Sequence, residues 1–221
     1  MHGVTFGNLH SYDDLSLILS SKKIKAPEPK TETVDIPGGD GVLDFTEFFG
    51  DVHYNNRKLS FDFSYIGARS TFMDKFSEVQ SALHGRKLKV TLDGDPGYYY
   101  VGRCTVDEWK TDKSIGKITV DVDCEPYKYK QGATTVALTA ATAEKTVTLT
   151  NFGRKTVVPV VVVAAPSGAD AASVTLQFDG TSVTLSAGTY TLDNLVLTQG
   201  AHELKYSGSG TITIKYQEAT L

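Results

Sequence analysis

Two cysteines, Cys104 and Cys124, are the first candidates for chemistry, because thiolates bind metals and take part in redox reactions. A structural zinc site needs about four ligands, which usually come in close CxxC or HxxxH pairs. The sequence contains no CxxC pair, and its five histidines share no ligand spacing. We therefore predict that the two thiols are reduced, buried in a sheet and close to one another, with no metal between them.

Paired carboxylates occur at Asp93 and Asp95 and again at Asp121 and Asp123, a pattern that could serve acid–base chemistry or bind calcium. An EF-hand loop also needs a closing glutamate, which LDGDPGYYY lacks. A hairpin turn explains the first pair, and the solvent face of a strand explains the second. A carboxylate pair for glycoside hydrolysis stays open, because nothing in the sequence singles one pair out.

Two short motifs resemble nucleotide-binding and hydrolase signatures but lack required residues. SIGKIT (114–119) has neither the glycine five positions before Gly-Lys nor the Ser or Thr after it that a phosphate-binding loop needs. SGSG (207–210) is not a Gly-x-Ser-x-Gly elbow, and we expect a strand connection there. We therefore predict that the chain is not an enzyme and has no catalytic residues, cofactor or metal.

The aromatic residues Tyr98, Tyr99, Tyr100 and Trp109 could stack sugars or bases. In a strand, however, Tyr98 and Tyr100 share one face and Tyr99 takes the other, so at least one face should belong to the core. We predict a packing role for the tyrosines and for Trp109.

Charge and hydropathy limit the classes of partner. A net charge of -4 over 221 residues argues against a surface that binds nucleic acid throughout, although a local basic patch stays open. The first residues, MHGVTFGNLHSYDDLSLIL, lack the pattern of a secretory signal, and the longest apolar run is too short to span a bilayer. We expect a protein made in a reducing cytosol, without membrane insertion.

The composition changes near Lys130. Residues 1–130 hold 17 of the 22 lysines and arginines and 20 of the 26 acids, whereas residues 131–221 are rich in Thr, Val, Ala, Gly and Ser. Such a shift indicates a domain boundary, so we predict one domain over 1–130 and another over 131–221.

The N-terminal half is predicted to be α+β. The segment STFMDKFSEVQSALHG (70–85) spaces its apolar residues along one face of a helix, with Ser-Thr before them and Gly85 after them. Strands are predicted around it at 58–66, 86–92, 98–109 and 114–125.

The C-terminal half is predicted to be a β-sandwich, because short β-branched segments alternate there with turns that contain glycine. These predicted strands are 146–152, 157–164, 173–178, 181–186, 189–197, 202–207 and 211–216.

Residues 22–42, KKIKAPEPKTETVDIPGGDGV, carry three prolines and three glycines around a short strand predicted at 33–36. This composition predicts an extended arm with a rigid loop rather than a packed core element.

Taken in order, several segments resemble the distal tail (Dit-like) proteins of long-tailed phages and prophages of Gram-positive bacteria. In the first half they are GVTFGNLHSYDDLSLIL, VDIPGGDGVLDFTE, VHYNNRKLSFDFSY, ALHGRKLKVTLDGDPGYYYVGRC and DVDCEPYKYK. In the second half they are VTLTNFGRKTVVPVVVV and YTLDNLVLTQGAHELKYSGSGTITIKYQEATL. The resemblance covers nearly the whole chain, and its most specific parts are the IPG-x-DG-x-LD loop and the final hairpin strand.

The resemblance implies a mainly β protein, with an N-terminal α+β domain (a β-sandwich, one helix and an arm or hairpin) and a C-terminal galectin-like β-sandwich. Six copies would form a ring that joins the tail tube and the end of the tape-measure protein to tail-associated or receptor-binding baseplate proteins. DNA would only pass through the central channel. The implied location is the tail tip of the virion, after assembly in the host cytoplasm.

Subunit interface residues are expected in the loop of the arm, at Ile36, Pro37, Gly38, Gly39, Asp40 and Gly41. Glycines there would let the backbone approach a neighbouring subunit, and the alternative is a surface loop with a tight turn. Arg57 would form an ion pair in the ring, or would be a solvated charge.

A carbohydrate-binding module for bacterial wall polymers is the alternative function. The galectin sugar platform depends on a tryptophan, and residues 131–221 contain none. The aromatic residues of that half lie within strand patterns and are predicted to be core: Phe152, Phe178, Tyr190, Tyr206 and Tyr216.

Overall fold

The computed structural model describes residues 3–48, 50–112, 115–167 and 171–221. Over these ranges the protein is mainly β with one α-helix, which confirms the predicted fold class. The chain forms two compact units, which divide in the sequence between Lys128 and Tyr129. No helix in the described ranges is long and apolar enough to cross a membrane.

The first unit contains an antiparallel sheet with the strand order β2-β1-β7-β8-β9-β6-β3, and a separate hairpin of β4 and β5. Apolar side chains alternate along the long strands, which places one face of the sheet in the core. The strands are β1 (Val4–Phe6), β2 (Leu9–His10), β3 (Ile18–Ile24), β4 (Thr33–Asp35), β5 (Val42–Asp44), β6 (Arg57–Ile66), β7 (Lys87–Leu92), β8 (Tyr98–Asp112) and β9 (Ile115–Cys124).

The sheet of the first unit curls over its own core. Phe6 on β1 lies 5.9 Å from Phe61 and 6.2 Å from Phe63 on β6, measured between ring centroids, although three strands separate β1 from β6 in the sheet. The same face of the sheet therefore packs against itself, as in a sandwich.

The helix α1 (Phe72–Leu83) follows a 3-10 turn at Arg69–Thr71 and buries the face that the sequence predicts. Its Phe72 ring lies 5.5 Å from the ring of Trp109 on β8. The helix ends before Gly85, whose φ of +75° reverses the chain and whose N–H donates to the Cys104 carbonyl at 2.8 Å. The helix thus lies within the segment predicted for it, and Gly85 follows its end as predicted.

The second unit is a sandwich of two four-stranded antiparallel sheets, β11-β18-β13-β16 and β12-β17-β14-β15, as predicted. The remaining strands of the chain are β10 (Lys128–Lys130), β11 (Thr134–Thr139), β12 (Lys145–Asn151), β13 (Val160–Ala164), β14 (Ser173–Phe178), β15 (Thr181–Leu185), β16 (Gly188–Thr191), β17 (Gly200–Ser209), β18 (Thr211–Tyr216) and β19 (Ala219–Thr220).

Two strand predictions for the second unit need correction, and one strand was missed. The strand expected at 157–164 begins only at Val160, after Pro159, which has no N–H to donate to a ladder. The strand expected at 189–197 ends at Thr191, because the chain turns where Leu195 N donates to the Leu192 carbonyl. Strand β11 was not predicted at all.

Candidate functional site

The two cysteines lie on neighbouring strands and are free thiols. Cys104 is paired with Val122 and Cys124 with Gly102, so the cysteines are diagonal neighbours on the same face of the sheet. Burial raises the pKa of Cys104 to about 11 and, together with the nearby Cys104, that of Cys124 to about 12. The prediction of buried, neighbouring, reduced thiols is confirmed, and thiols of this kind are poor nucleophiles.

The carboxylate pairs do not converge on a common point. Asp95 forms the turn between β7 and β8, where its carbonyl accepts the Tyr98 N–H, and its carboxylate pairs with Lys128 at 2.7 Å. Asp123 is exposed, as predicted, but Asp121 is largely covered, and Lys58 pairs with it at 2.5 Å. Within the described ranges, no group of three or more His, Cys, Asp or Glu side chains could hold a metal ion.

SIGKIT resembles part of a phosphate-binding loop, but packing explains its glycine. The structure describes this segment without Ser114. A Cβ atom at Gly116 would lie 2.4 Å from the Trp109 ring, so glycine leaves the space that the indole fills. Trp109 also contacts Phe72 and Phe76 of the helix. The predicted packing role of Trp109 is therefore confirmed.

The three consecutive tyrosines each contact a cation rather than forming an open stacking platform. Lys128 Nζ lies 4.4 Å from the Tyr98 ring centroid and Lys89 Nζ lies 4.0 Å from that of Tyr99. Tyr100 is buried, with the Arg57 guanidinium 5.3 Å from its ring centroid. The tyrosines therefore belong to the packing of the first unit, as predicted.

The most exposed feature of the first unit is the segment that we call the arm, residues 26–55, in which Phe49 is not described. Its outer part is the β4–β5 hairpin, in which Val34 is paired with Leu43 and Asp35 with Val42. The predicted arm began at Lys22 and ended at Val42. Both limits are wrong, because residues 22–24 belong to β3 of the main sheet and the returning strand of the hairpin follows residue 41.

The base of the arm is fixed by backbone pairing and by ring contacts. The Lys30 N–H donates to the His53 carbonyl and the Asn55 N–H donates to the Glu28 carbonyl, both at 2.8 Å. The Tyr54 ring packs edge-on against Tyr127, at 6.1 Å between centroids. The arm therefore leaves the unit in a defined direction.

Arg57, which lies two residues after the end of the arm, is buried. Its Nε donates to the Lys25 carbonyl at 2.9 Å, and its Nη1 makes a longer contact of 3.4 Å with the Pro126 carbonyl. The expectation of a solvated charge at Arg57 is therefore wrong, because the guanidinium is used inside its own unit. An ion pair of Arg57 in the ring stays a prediction, as does the interface role of residues 36–41.

Beyond its base, the arm exposes apolar side chains that a folded chain would ordinarily bury. Leu43 is 50% exposed and Phe48 is 70% exposed. An isolated two-stranded hairpin is only marginally stable in water, and contiguous exposed apolar surface marks an interaction site. The large apolar side chains exposed on the arm are Val34, Ile36, Val42, Leu43, Phe45 and Phe48.

The predicted interface residues 36–41 form the tip of this hairpin, and all six are exposed. Gly38 and Gly41 have φ angles of +74° and +79°, which only glycine adopts easily, and both face open space. The structure thus gives these glycines a role in turning the chain. The sequence analysis missed the apolar side chains beyond Val42, although the high apolar content of VLDFTEFF is a signal for them.

In the second unit, the prediction of core aromatic residues is correct for Phe178, Tyr206 and Tyr216, which are buried. Tyr190 is half-buried, and its hydroxyl donates to the Ser186 carbonyl. The prediction is wrong for Phe152, which is 76% exposed because β12 ends at the preceding residue. A single exposed phenylalanine does not make the aromatic platform that sugar binding would need.

No protein-family model and no curated protein matches the sequence. Among solved structures, the Dit protein of phage SPP1 matches with a TM-score of 0.71 over 100% of both chains, at 17% sequence identity. That protein was presented as a paradigm of the hub adsorption apparatus in phages that infect Gram-positive bacteria. The match shows that the two chains share a fold.

A second structure, an exo-β-1,3-galactanase from Phanerochaete chrysosporium, matches 87% of this chain and 69% of its own, at 9% identity. Its TM-score is 0.27.

Proposed function

We propose that this protein is a non-enzymatic structural component of a phage tail, which assembles into a hexameric ring at the distal end of the tail tube. The observation that carries the proposal is the full-length likeness of fold to SPP1 Dit, a hub protein. The order of sequence segments that resemble distal tail proteins supports it independently.

The exposed arm fits such a role because a ring of identical subunits needs a surface that binds a different surface of the next copy. Apolar residues held on a fixed base, as Val34 and Leu43 are, can supply that surface. In this proposal the first unit forms the wall of the ring, and the tip residues 36–41 lie at the interface between subunits. The second unit forms the periphery.

The proposed partners follow from the position of such a ring. One face meets the tail tube protein and the end of the tape-measure protein, and the other meets tail-associated or receptor-binding baseplate proteins. DNA passes through the central channel without being a stable ligand. The protein acts at the tail tip of the virion. It is built into the tail in the cytoplasm of the bacterial host.

Light scattering of the purified full-length chain tests the proposal. The expected particle contains six copies of the 23.9 kDa chain, and electron micrographs should show a ring with a central hole. A strict monomer at micromolar concentration, even with the tail tube protein present, would contradict the proposal.

A pair of variants tests the role of the arm in this assembly. Leu43→Asn should shift the protein toward monomers, because it removes apolar surface from the arm without disturbing a core. The matched control is Val158→Asn, which changes an exposed apolar residue of the second unit and should leave the ring intact.

A further inference from the structure

Strand β3 presents an unpaired edge. It is the last strand of the sheet order, and among the described residues its only strand partner is β6, so within that part of the chain its other side carries backbone N–H and C=O groups that no strand pairs with. The register shifts between Leu19 and Ser21, and residues 20–24 are exposed. Such an edge can accept a further strand from another chain.

The exposed edge is basic. Lys22, Lys23 and Lys25 follow one another along it, and all three are exposed. In the described part of the chain, none of these three ammonium groups forms an ion pair. Ile24 lies among them and is 38% exposed, so the edge combines positive charge with one apolar side chain.

The arm has the opposite charge. Residues 26–55 contain seven acidic residues and a single lysine, Lys30. Within the hairpin, the register places Asp35 and Asp44 on one face, and Val34 with Leu43 on the other. Hydrogen bonds from Thr46 lower the pKa of Asp44, which keeps this carboxylate charged.

We propose that the acidic arm of one copy adds to the free, basic edge of β3 in the neighbouring copy. The inference rests on the proposed ring and identifies the surface that receives the arm. The faces match, since Lys23 and Lys25 share one face of the edge and Ile24 lies on the other, as Asp35 and Asp44 share one face of the hairpin and Val34 and Leu43 the other. The contact joins two different surfaces of the chain, as closure of a ring requires.

Charge also selects this pairing over its competitors. Two β3 edges would bring lysines opposite lysines, and two arms would bring carboxylates opposite carboxylates, both of which are unfavourable. Only the pairing of an arm with a β3 edge brings opposite charges together. The edge lysines thus prevent indiscriminate edge pairing while permitting one partner.

Charge exchange in the full-length protein tests the inference. Lys23→Glu with Lys25→Glu should raise the concentration at which half of the protein is assembled by at least about tenfold, and so should Asp35→Lys with Asp44→Lys. The four changes combined in one chain should restore most of the assembly, because the complementary pair is reversed on both sides. Circular dichroism checks that each variant keeps the native strand content.

The matched control is Lys145→Glu with Lys215→Glu, which makes the same change of charge on exposed lysines of the second unit and should leave assembly unchanged. Sodium chloride should weaken wild-type assembly, since exposed charges are screened within about 10 Å at 0.1 M salt. Wild-type rings that tolerate Lys23→Glu with Lys25→Glu would overturn this inference and leave the proposed function standing. A wild-type chain that never assembles would overturn both.

Discussion

The guanidinium of Arg57 lies over the ring of Tyr100, 5.3 Å from the ring centroid, while its Nε donates to the Lys25 carbonyl at 2.9 Å. Lys25 directly precedes the arm, and Arg57 follows it, so one side chain joins the two ends of the arm at its base. The contact links the packing of β8 to the direction in which the arm leaves the sheet. Arg57 is therefore a positioning residue for the arm.

Replacing Arg57 by leucine should lower the free energy of unfolding of the first unit. The partly buried Lys25 carbonyl would lose its donor, and loss of such a hydrogen bond costs about 0.5–1.5 kcal/mol. Arg57→Lys should fall between leucine and wild type, because an ammonium can reach a carbonyl but cannot stack as a planar group. Urea unfolding followed by the fluorescence of Trp109, the single tryptophan, reports on this unit.

The matched control for Arg57 is Arg69→Leu, which removes an exposed arginine of the same unit. It should change the unfolding free energy by less than about 0.5 kcal/mol, as surface substitutions usually do. Equal effects of the Arg57 and Arg69 variants would show that the contact with Tyr100 and Lys25 contributes nothing.

Local patterns in the sequence were enough to place most long elements. Strand β6 was predicted at 58–66 and spans Arg57–Ile66, because its inward side chains alternate strictly. The helix follows from four apolar residues at helical spacing. The edge strand β3 has no such signal, since residues 20–24 bury neither face, and its lysines resemble those of a loop.

The contacts that anchor the arm and close the second unit could not be predicted in the same way. They join residues far apart in the sequence, such as Arg57 with Pro126 and Lys130 with Glu218. Strand register and chain reversal decide which of these residues meet, and neither is visible in a local pattern. The apolar residues of the arm can be read from the sequence. Their exposure cannot, because it depends on whether another part of the described chain packs over the hairpin.

Replacing Gly102 by alanine should destabilise the first unit. An added Cβ would lie 2.6 Å from both the Asp123 carbonyl oxygen and the Cys124 Sγ, and the backbone oxygen cannot move away cheaply. Overpacking of this kind typically costs about 1–3 kcal/mol. Thermal unfolding should therefore give a lower Tm for Gly102→Ala, whereas Gly97→Ala, whose Cβ meets nothing within 4 Å, should resemble wild type.

The cysteines should be unreactive in the folded protein. Because burial raises the pKa of Cys104 to about 11 and is the main cause that raises that of Cys124 to about 12, almost no thiolate is present at pH 8. Titration with a chromogenic disulfide should detect no fast-reacting thiol in native protein and two per chain in denaturant. Rapid reaction of either thiol under native conditions would mean that β8 and β9 open readily.

The carboxylate of Glu218 should contribute stability to the second unit at neutral pH. Its side chain is 5% exposed; it accepts from Lys130 Nζ at 2.8 Å, from the Phe152 N–H at 3.1 Å and from the Thr134 hydroxyl. Burial raises the pKa of Glu218, but these hydrogen bonds outweigh it and the net pKa lies below its usual value. Glu218→Gln should therefore cost about 1–3 kcal/mol at pH 7, because the charged acceptor is lost.

The pH dependence separates this charge effect from simple packing. A carboxylate with a depressed pKa in the folded state stabilises the protein above its unfolded pKa of about 4.3, and the contribution disappears as pH falls through the folded pKa. The gap in unfolding free energy between wild type and Glu218→Gln should thus be widest near pH 7 and should narrow progressively below about pH 4.3. The exposed Glu203 provides the control, since Glu203→Gln should show no such gap. A gap for Glu218→Gln that stays constant from pH 7 to pH 3 in urea unfolding followed by circular dichroism would show that shape, and not charge, makes Glu218 important.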